Sequence, residues 1–207
     1  MKTTEKIIRY ILETYRPDAV IVYGSFADGS ASEHSDFDAL VIADRAGTHD
    51  ASVIDGTLLD VFVYPAETFK AAYDPAAFIQ VLDGTVVLDK SGLAQQLQER
   101  VRSYVESLPP KSADEIRQEI RWCEKMLSRT LREDPEGYYR WHWLLTDSLE
   151  LYCDIKGVRY DGPKKALRRM EQTDGEAFCL YAKALQTFQR ETLSAWISCL
   201  KRLASAL

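Results

Sequence analysis

The 207-residue chain is short of several features that announce a function class. No apolar run approaches the ~20 residues that a membrane helix needs, which excludes a helical span by length. Its N-terminus, MKTTEKIIRYILETY, interleaves charges with its apolar positions and lacks a signal-peptide core. There is no surplus of positive charge. The 26 Lys and Arg residues face 32 Asp and Glu, and a formal net charge of −6 argues against a broad nucleic-acid footprint. No C-x-x-C pair occurs, and the four cysteines (Cys123, Cys153, Cys179, Cys199) and three histidines (His34, His49, His142) stand singly, so no zinc-ligand spacing is present. The cysteines sit among apolar neighbours in helical-looking segments and read as buried free thiols, which suits a reducing cytoplasm. Repeats and low-complexity tracts are absent too.

What is present is a globular composition, 46% hydrophobic and 28% charged, with enough residues for one large domain or two small ones. The chain changes character at Pro109-Pro110. Before it, short β-type runs alternate with helical stretches. Ala19–Tyr23, Ala39–Ala43, Leu58–Tyr64 and Thr85–Leu88 read as strands. Helices are expected over the first fifteen residues, where Ile7, Ile8, Ile11, Leu12 and Tyr15 share a face, then over Ala66–Tyr73 and Leu93–Leu108. Beyond Pro110 nearly everything has helical period. Ser112 and Glu115 form a capping box, Tyr138 to Ile155 make a second helix, Pro163 opens a third, and Thr173-Asp174-Gly175 opens a last long one. The expectation is an α+β chain: a mixed-sheet domain over residues 1–108, then a four-helix bundle over 109–207.

The chemistry concentrates in IVYGSFADGSASEHSDFDALVIAD, residues 21–44. Asp36 and Asp38 are two apart, so on a strand they point to one face. Two carboxylates held together repel unless a cation lies between them, and magnesium takes carboxylate oxygens while leaving positions for phosphate. Asp60 is a charged residue inside the apolar run GTLLDVFVY. If its strand neighbours the one that begins at Asp36–Asp38, three carboxylates can hold two divalent ions and align an in-line displacement at phosphorus. Gly24 and Ser25 end the first strand, where a missing Cβ and a hydroxyl suit a phosphate, and Ser35 is placed to contact a phosphate or to order the turn.

GSFADGSASEHSDFD is close to the form G-S-x-A-x-G-x-x-x-x-x-S-D-x-D, and with the later strand aspartate it resembles the nucleotidyltransferase superfamily typified by DNA polymerase beta. The resemblance covers about the first ninety residues. The helical half makes the whole similar to aminoglycoside (kanamycin-type) nucleotidyltransferases, or to a nucleotidyltransferase fused to a HEPN-like helical domain. This implies that Gly24 and Ser25 hold a triphosphate, that Asp36 and Asp38 bind magnesium, and that Asp60 binds the catalytic metal and helps deprotonate an acceptor hydroxyl. The implied reaction moves a nucleoside monophosphate from an NTP, ATP by expectation, to a small hydroxylated acceptor such as an aminoglycoside antibiotic. Protein AMP transfer of the antitoxin type and a non-catalytic nucleotide-binding module are the alternatives. The resemblance leaves room for a homodimer; neither nucleic acid nor membrane is expected as a partner.

In the helical half, the run Tyr138-Tyr139-Arg140-Trp141-His142-Trp143 has too many rings for one buried stripe, so some must face a cleft, a partner or water. Lys164, Lys165, Arg168 and Arg169 follow a helix start, and Lys164 is the candidate for a triphosphate contact. Asp147 flanks an apolar helix face, where a carboxylate could serve as general base. The HEPN ribonuclease pattern Arg-x(4–6)-His is not met at His142, which disfavours HEPN-type RNA cleavage.

Overall fold

The structure, a computed structural model, describes residues 2–45, 47–132 and 134–207. The chain divides into two compact units, Met1–Leu108 and Pro109–Leu207. The division falls at the Pro-Pro pair, where neither residue can donate a backbone hydrogen bond to continue an element.

In the first unit, α1 (Thr3–Tyr15) precedes β1 (Ala19–Tyr23), the short helix α2 (Gly24–Asp28) and β2 (Phe37–Ile42). Next come β3 (Thr48–Asp50), β4 (Val53–Ile54), β5 (Thr57–Tyr64), α3 (Ala66–Lys70), a 3-10 segment (Pro75–Val81), β6 (Thr85–Asp89) and α4 (Leu93–Ser107). The sheet runs β3-β5-β2-β1-β6, with β4 paired to β5. β2 and β5 are parallel and the other pairs antiparallel, so the sheet is mixed, as expected.

Every residue of β1 is buried, because this strand is covered on both faces. One face packs Ile7 and Ile11 of α1 against Val20, Val22, Phe37, Val41, Val61 and Val63. The other packs Ile21, Leu40 and Ile42 against Phe69, Phe78, Val81, Leu97 and Val101. Gly84 is enforced by crowding: a Cβ there would lie 2.7 Å from Ile21 Cγ2 and 3.0 Å from the Val22 carbonyl oxygen.

The structure adds elements that sequence periodicity does not show. Gly24–Asp28 is a short helix immediately after the first strand, and Ala66–Tyr73 is helical only to Lys70, with Ala71 extended. β4 and β5 form a hairpin through Asp55-Gly56, both at positive φ (52° and 82°), the combination a two-residue I′ turn demands. Asp55 is tied to α1 by Thr3 and Lys6.

The second unit holds α5 (Ala113–Arg129), α6 (Pro135–Ile155), α7 (Pro163–Thr173), α8 (Gly175–Gln186) and α9 (Arg190–Ala204). The last long helix of the sequence reading is therefore two, and the described residues of this unit form five helices instead of four. Thr187 and Gln189 adopt extended backbone, the Thr187 and Thr192 hydroxyls are 3.0 Å apart, and the Phe188 ring lies 4.5 Å from that of Trp141. Side-chain hydroxyls and an aromatic anchor hold this break without Gly or Pro.

The capping box at Ser112 and Glu115 is present, and the side chains of Asp134 and Asp174 accept from Gly137 N–H and Ala177 N–H at the starts of α6 and α8. In the core, fully buried Trp196 donates Nε1–H to Ser148 Oγ at 2.8 Å, and Ser148 in turn donates to the Leu145 carbonyl. Trp141 is buried while Tyr138, Tyr139 and Trp143 are exposed, so the aromatic run divides as its ring count requires. Three cysteines are buried; Cys179, expected inside, is exposed on α8. Among the described residues no helix is long and apolar enough to cross a membrane.

Candidate active site

Three strands meet where the carboxylates stand. β1 ends at Tyr23 and β2 begins at Phe37, and their antiparallel register sets Tyr23 opposite Asp38. β5 runs parallel to β2 on the far side and sets Asp60 directly beside Asp38. Alternation puts both aspartates on the same sheet face as Tyr23 and Leu40, at the mouth end of the strands where the chain turns through Gly24. Asp36 is exposed just ahead of β2.

This placement is electrostatically costly. Burial, then the charges of Asp60 and Asp36, push the Asp38 carboxyl from its ordinary 3.8 up to about 6. The neighbouring Tyr23 phenol is pushed up by burial and by Asp60 and Asp38. Gly24 makes room for the arrangement: its φ is +66°, and a Cβ built there would lie 2.3 Å from Asp38 Oδ2. The glycine therefore serves the carboxylate directly, beyond the phosphate role expected of it.

The turn between the strands is built from its own serines. Ser35 Oγ accepts from Ser32 N–H at 2.9 Å and lies 3.2 Å from Ser32 Oγ, so the ordering of the turn is the role this geometry shows. The backbone carbonyl of Ser25 accepts from Ser30 N–H at 3.0 Å, and its hydroxyl has no hydrogen-bond partner among the described residues. Lys164 is exposed on α7 in the second unit. Near it, Arg169 donates to the Arg159 carbonyl and to Asp161, which ties part of that basic cluster into its own loop. Asp147 lines a cavity of about 260 Å³ in the second unit with Lys111, Glu119, Trp122, Cys123 and Glu150; burial and then the charges of Glu150 and Glu119 raise its pKa.

His49 is the site residue that sequence reasoning passed over as one of three scattered histidines. It stands on β3, opposite Phe62 of β5. Its Nε2 is 2.7 Å from Asp60 Oδ1, and its ring stacks on Phe62 at 4.5 Å. A three-residue edge strand has no periodicity to find, and nothing in the sequence pairs residue 49 with residue 60.

Asp36, Asp38 and Asp60 fit a divalent cation by chemistry: hard oxygen donors, mutually repelling, with one carboxyl pushed up by burial and then by the other two. They are neighbours without being a closed ligand set. Among the described residues, no three His, Cys, Asp or Glu side chains are gathered tightly enough to hold an ion as they stand.

No curated protein matches the chain. A solved structure described as a nucleotidyltransferase-like protein from Exiguobacterium sibiricum 255-15 aligns with 99% of this chain and 73% of its own, at 15% identity and a TM-score of 0.40. The sharper finding lies in the first unit: residues 5–76, which contain Gly24, Ser25, Asp36, Asp38, His49 and Asp60, match the family described as Polymerase beta, Nucleotidyltransferase.

Proposed function

We propose that the protein is a magnesium-dependent nucleotidyltransferase that moves a nucleoside monophosphate from an NTP, ATP by preference, to a hydroxyl of an acceptor. The observation that carries this reading is the Asp38–Asp60 register pair with Asp36 beside it, set against Gly24 at the end of β1. In the reaction the acceptor oxygen bonds to the α-phosphorus, the bond from that phosphorus to the bridging oxygen breaks, and pyrophosphate leaves. Asp36, Asp38 and Asp60 would hold the ions. Bound magnesium would supply charge neutralisation of the phosphates and alignment of attacking and leaving oxygens. Asp60 takes the acceptor's proton. Gly24 and Ser25 border the triphosphate, and the Ser25 hydroxyl is available to donate to it.

We assign the acceptor to small hydroxylated molecules of the aminoglycoside type; a chain of net charge −6 favours such a cation. A second reading, AMP transfer to a partner protein, is favoured by the exposed rings of Tyr138, Tyr139, Trp143 and Phe188. The test is pyrophosphate release with Mg²⁺, each of four NTPs, and a panel of aminoglycosides and lincosamides, against an Asp36→Ala/Asp38→Ala control. Release that depends on one acceptor and vanishes in the control supports the first reading. Metal-dependent NTP binding without release to any small acceptor turns attention to protein acceptors. Absence of both removes the catalytic reading.

A further inference from the structure

We propose that His49 is the positioning residue of the site: by donating Nε2–H to Asp60 Oδ1, it fixes that carboxylate so that Oδ2 alone is presented to the metal and the acceptor. This rests on the nucleotidyl-transfer reading and deepens it.

The geometry is specific. A side chain in the middle of a strand can rotate about its Cα–Cβ bond, and a carboxylate two bonds out can present either oxygen. The 2.7 Å contact from His49 engages Oδ1, and Oδ2 has no hydrogen bond among the described residues. His49 reaches Asp60 along the diagonal of the antiparallel pair, because it is registered opposite Phe62, two residues further along the same face. The ring is itself held, stacked 4.5 Å above Phe62.

The strand beneath His49 is anchored independently. The next residue, Asp50, points to the opposite face and is 8% exposed. It accepts from the hydroxyls of Tyr10 and Tyr15 on α1 and from Ser52 N–H. Burial raises the pKa of this carboxylate, but the hydrogen bonds from Ser52, Tyr15 and Tyr10 together outweigh it and lower the pKa, so this anchor is an ionised one. An edge strand of three residues has few ladder bonds to keep its place. The Asp50 anchor supplies what the ladder lacks, so α1 fixes Asp50, Asp50 fixes β3, and β3 fixes the imidazole against Asp60. Hydrogen-bond partners behind a ligand carboxylate typically govern metal affinity and activity by roughly 10–100-fold.

The test compares wild type, His49→Phe and His49→Gln in the full chain. Phenylalanine keeps a ring to stack on Phe62 but cannot donate; glutamine restores a donor without the ring. Binding of Mn²⁺ alone is measured by calorimetry and by the loss of its free-ion EPR signal, and pyrophosphate release is measured in parallel. Far-UV CD melts check the fold. His49→Phe is expected to weaken Mn²⁺ binding and lower kcat, each by roughly 10-fold or more, with the KM for NTP little changed; His49→Gln is expected to recover most of both. Wild-type Mn²⁺ affinity and kcat in His49→Phe overturn the proposal. So does tighter Mn²⁺ binding in that variant, which would make His49 a competitor of the ion, and so does a His49→Gln no better than His49→Phe. If wild type itself neither binds Mn²⁺ nor turns over, the nucleotidyl-transfer reading fails first and takes this one with it. A wild type that does both while the variants match it sinks the His49 role alone.

Discussion

Asp38 holds a part-buried charge beside two other carboxylates, and Asp38→Asn should relieve that cost. Burial, then the charges of Asp60 and Asp36, push Asp38 up to about 6 from an ordinary 3.8, so the folded state binds its proton more tightly than the unfolded chain does. The sign follows from that. Asp38 costs almost nothing below about pH 3, where it is protonated in both states. Its cost grows as pH rises toward about 6 and stays constant above. At ~1.4 kcal/mol per tenfold, the full difference is about 3 kcal/mol. Asp38 is only part-buried, so solvent screening reduces this to about 1.5 kcal/mol. Asparagine has the same shape and no charge, and should recover that amount at pH 7. For a unit of this size the gain corresponds to a rise in melting temperature of roughly 5–10 °C. The assay is a urea or thermal transition followed by far-UV CD in EDTA at pH 7 and at pH 3. The variant should be more stable at pH 7 and equal to wild type at pH 3, and added Mg²⁺ should stabilise wild type only. A variant less stable than wild type at pH 7, or a gain undiminished at pH 3, would refute the reasoning.

Other expectations follow from contacts already described. Gly24→Ala should lower pyrophosphate release at least ~10-fold with the fold intact, because a Cβ at 2.3 Å from Asp38 Oδ2 drives that carboxylate aside; circular dichroism beside steady-state kinetics checks both halves. Gly84→Ala should destabilise the first unit by about 1–3 kcal/mol through the clash with Ile21 and the Val22 carbonyl, read from urea midpoints. Trp196→Phe should cost the second unit about 1–3 kcal/mol or more, since it leaves buried Ser148 without its donor, and thermal melts against a Ser148→Ala/Trp196→Phe double variant would show partial relief. Ser112→Ala should cost about 1 kcal/mol by removing the cap of α5.

The clustering of the three aspartates was legible in the sequence because its logic is local. Asp36 and Asp38 share a face by simple alternation, and Asp60 is conspicuous as a charge inside an apolar run. That the two strands lie side by side could only be conditional in the sequence; the parallel β2–β5 register supplies it. The boundary at Pro109-Pro110 and the cap at Ser112 were legible for similar reasons, being short-range steric and hydrogen-bond rules. The β4–β5 hairpin carried a readable sign, Asp55-Gly56, that strand periodicity alone passes over. His49 carried none. Its importance comes from a diagonal contact across an edge strand whose position is set by Asp50 and two tyrosines of α1, which is tertiary information. The break between α8 and α9 is hidden in the same way, since Thr187 and Phe188 end a helix through their neighbours and not through backbone chemistry of their own.

The most direct test of nucleotidyl transfer follows the label from an NTP. The protein, Mg²⁺ and a productive acceptor would be incubated with NTP labelled at the α-phosphorus and, separately, at the γ-phosphorus. The account expects the α-label on the acceptor and the γ-label in pyrophosphate, with both signals lost in Asp38→Ala. A γ-label found on the acceptor, or transfer undiminished without Asp38, would contradict it.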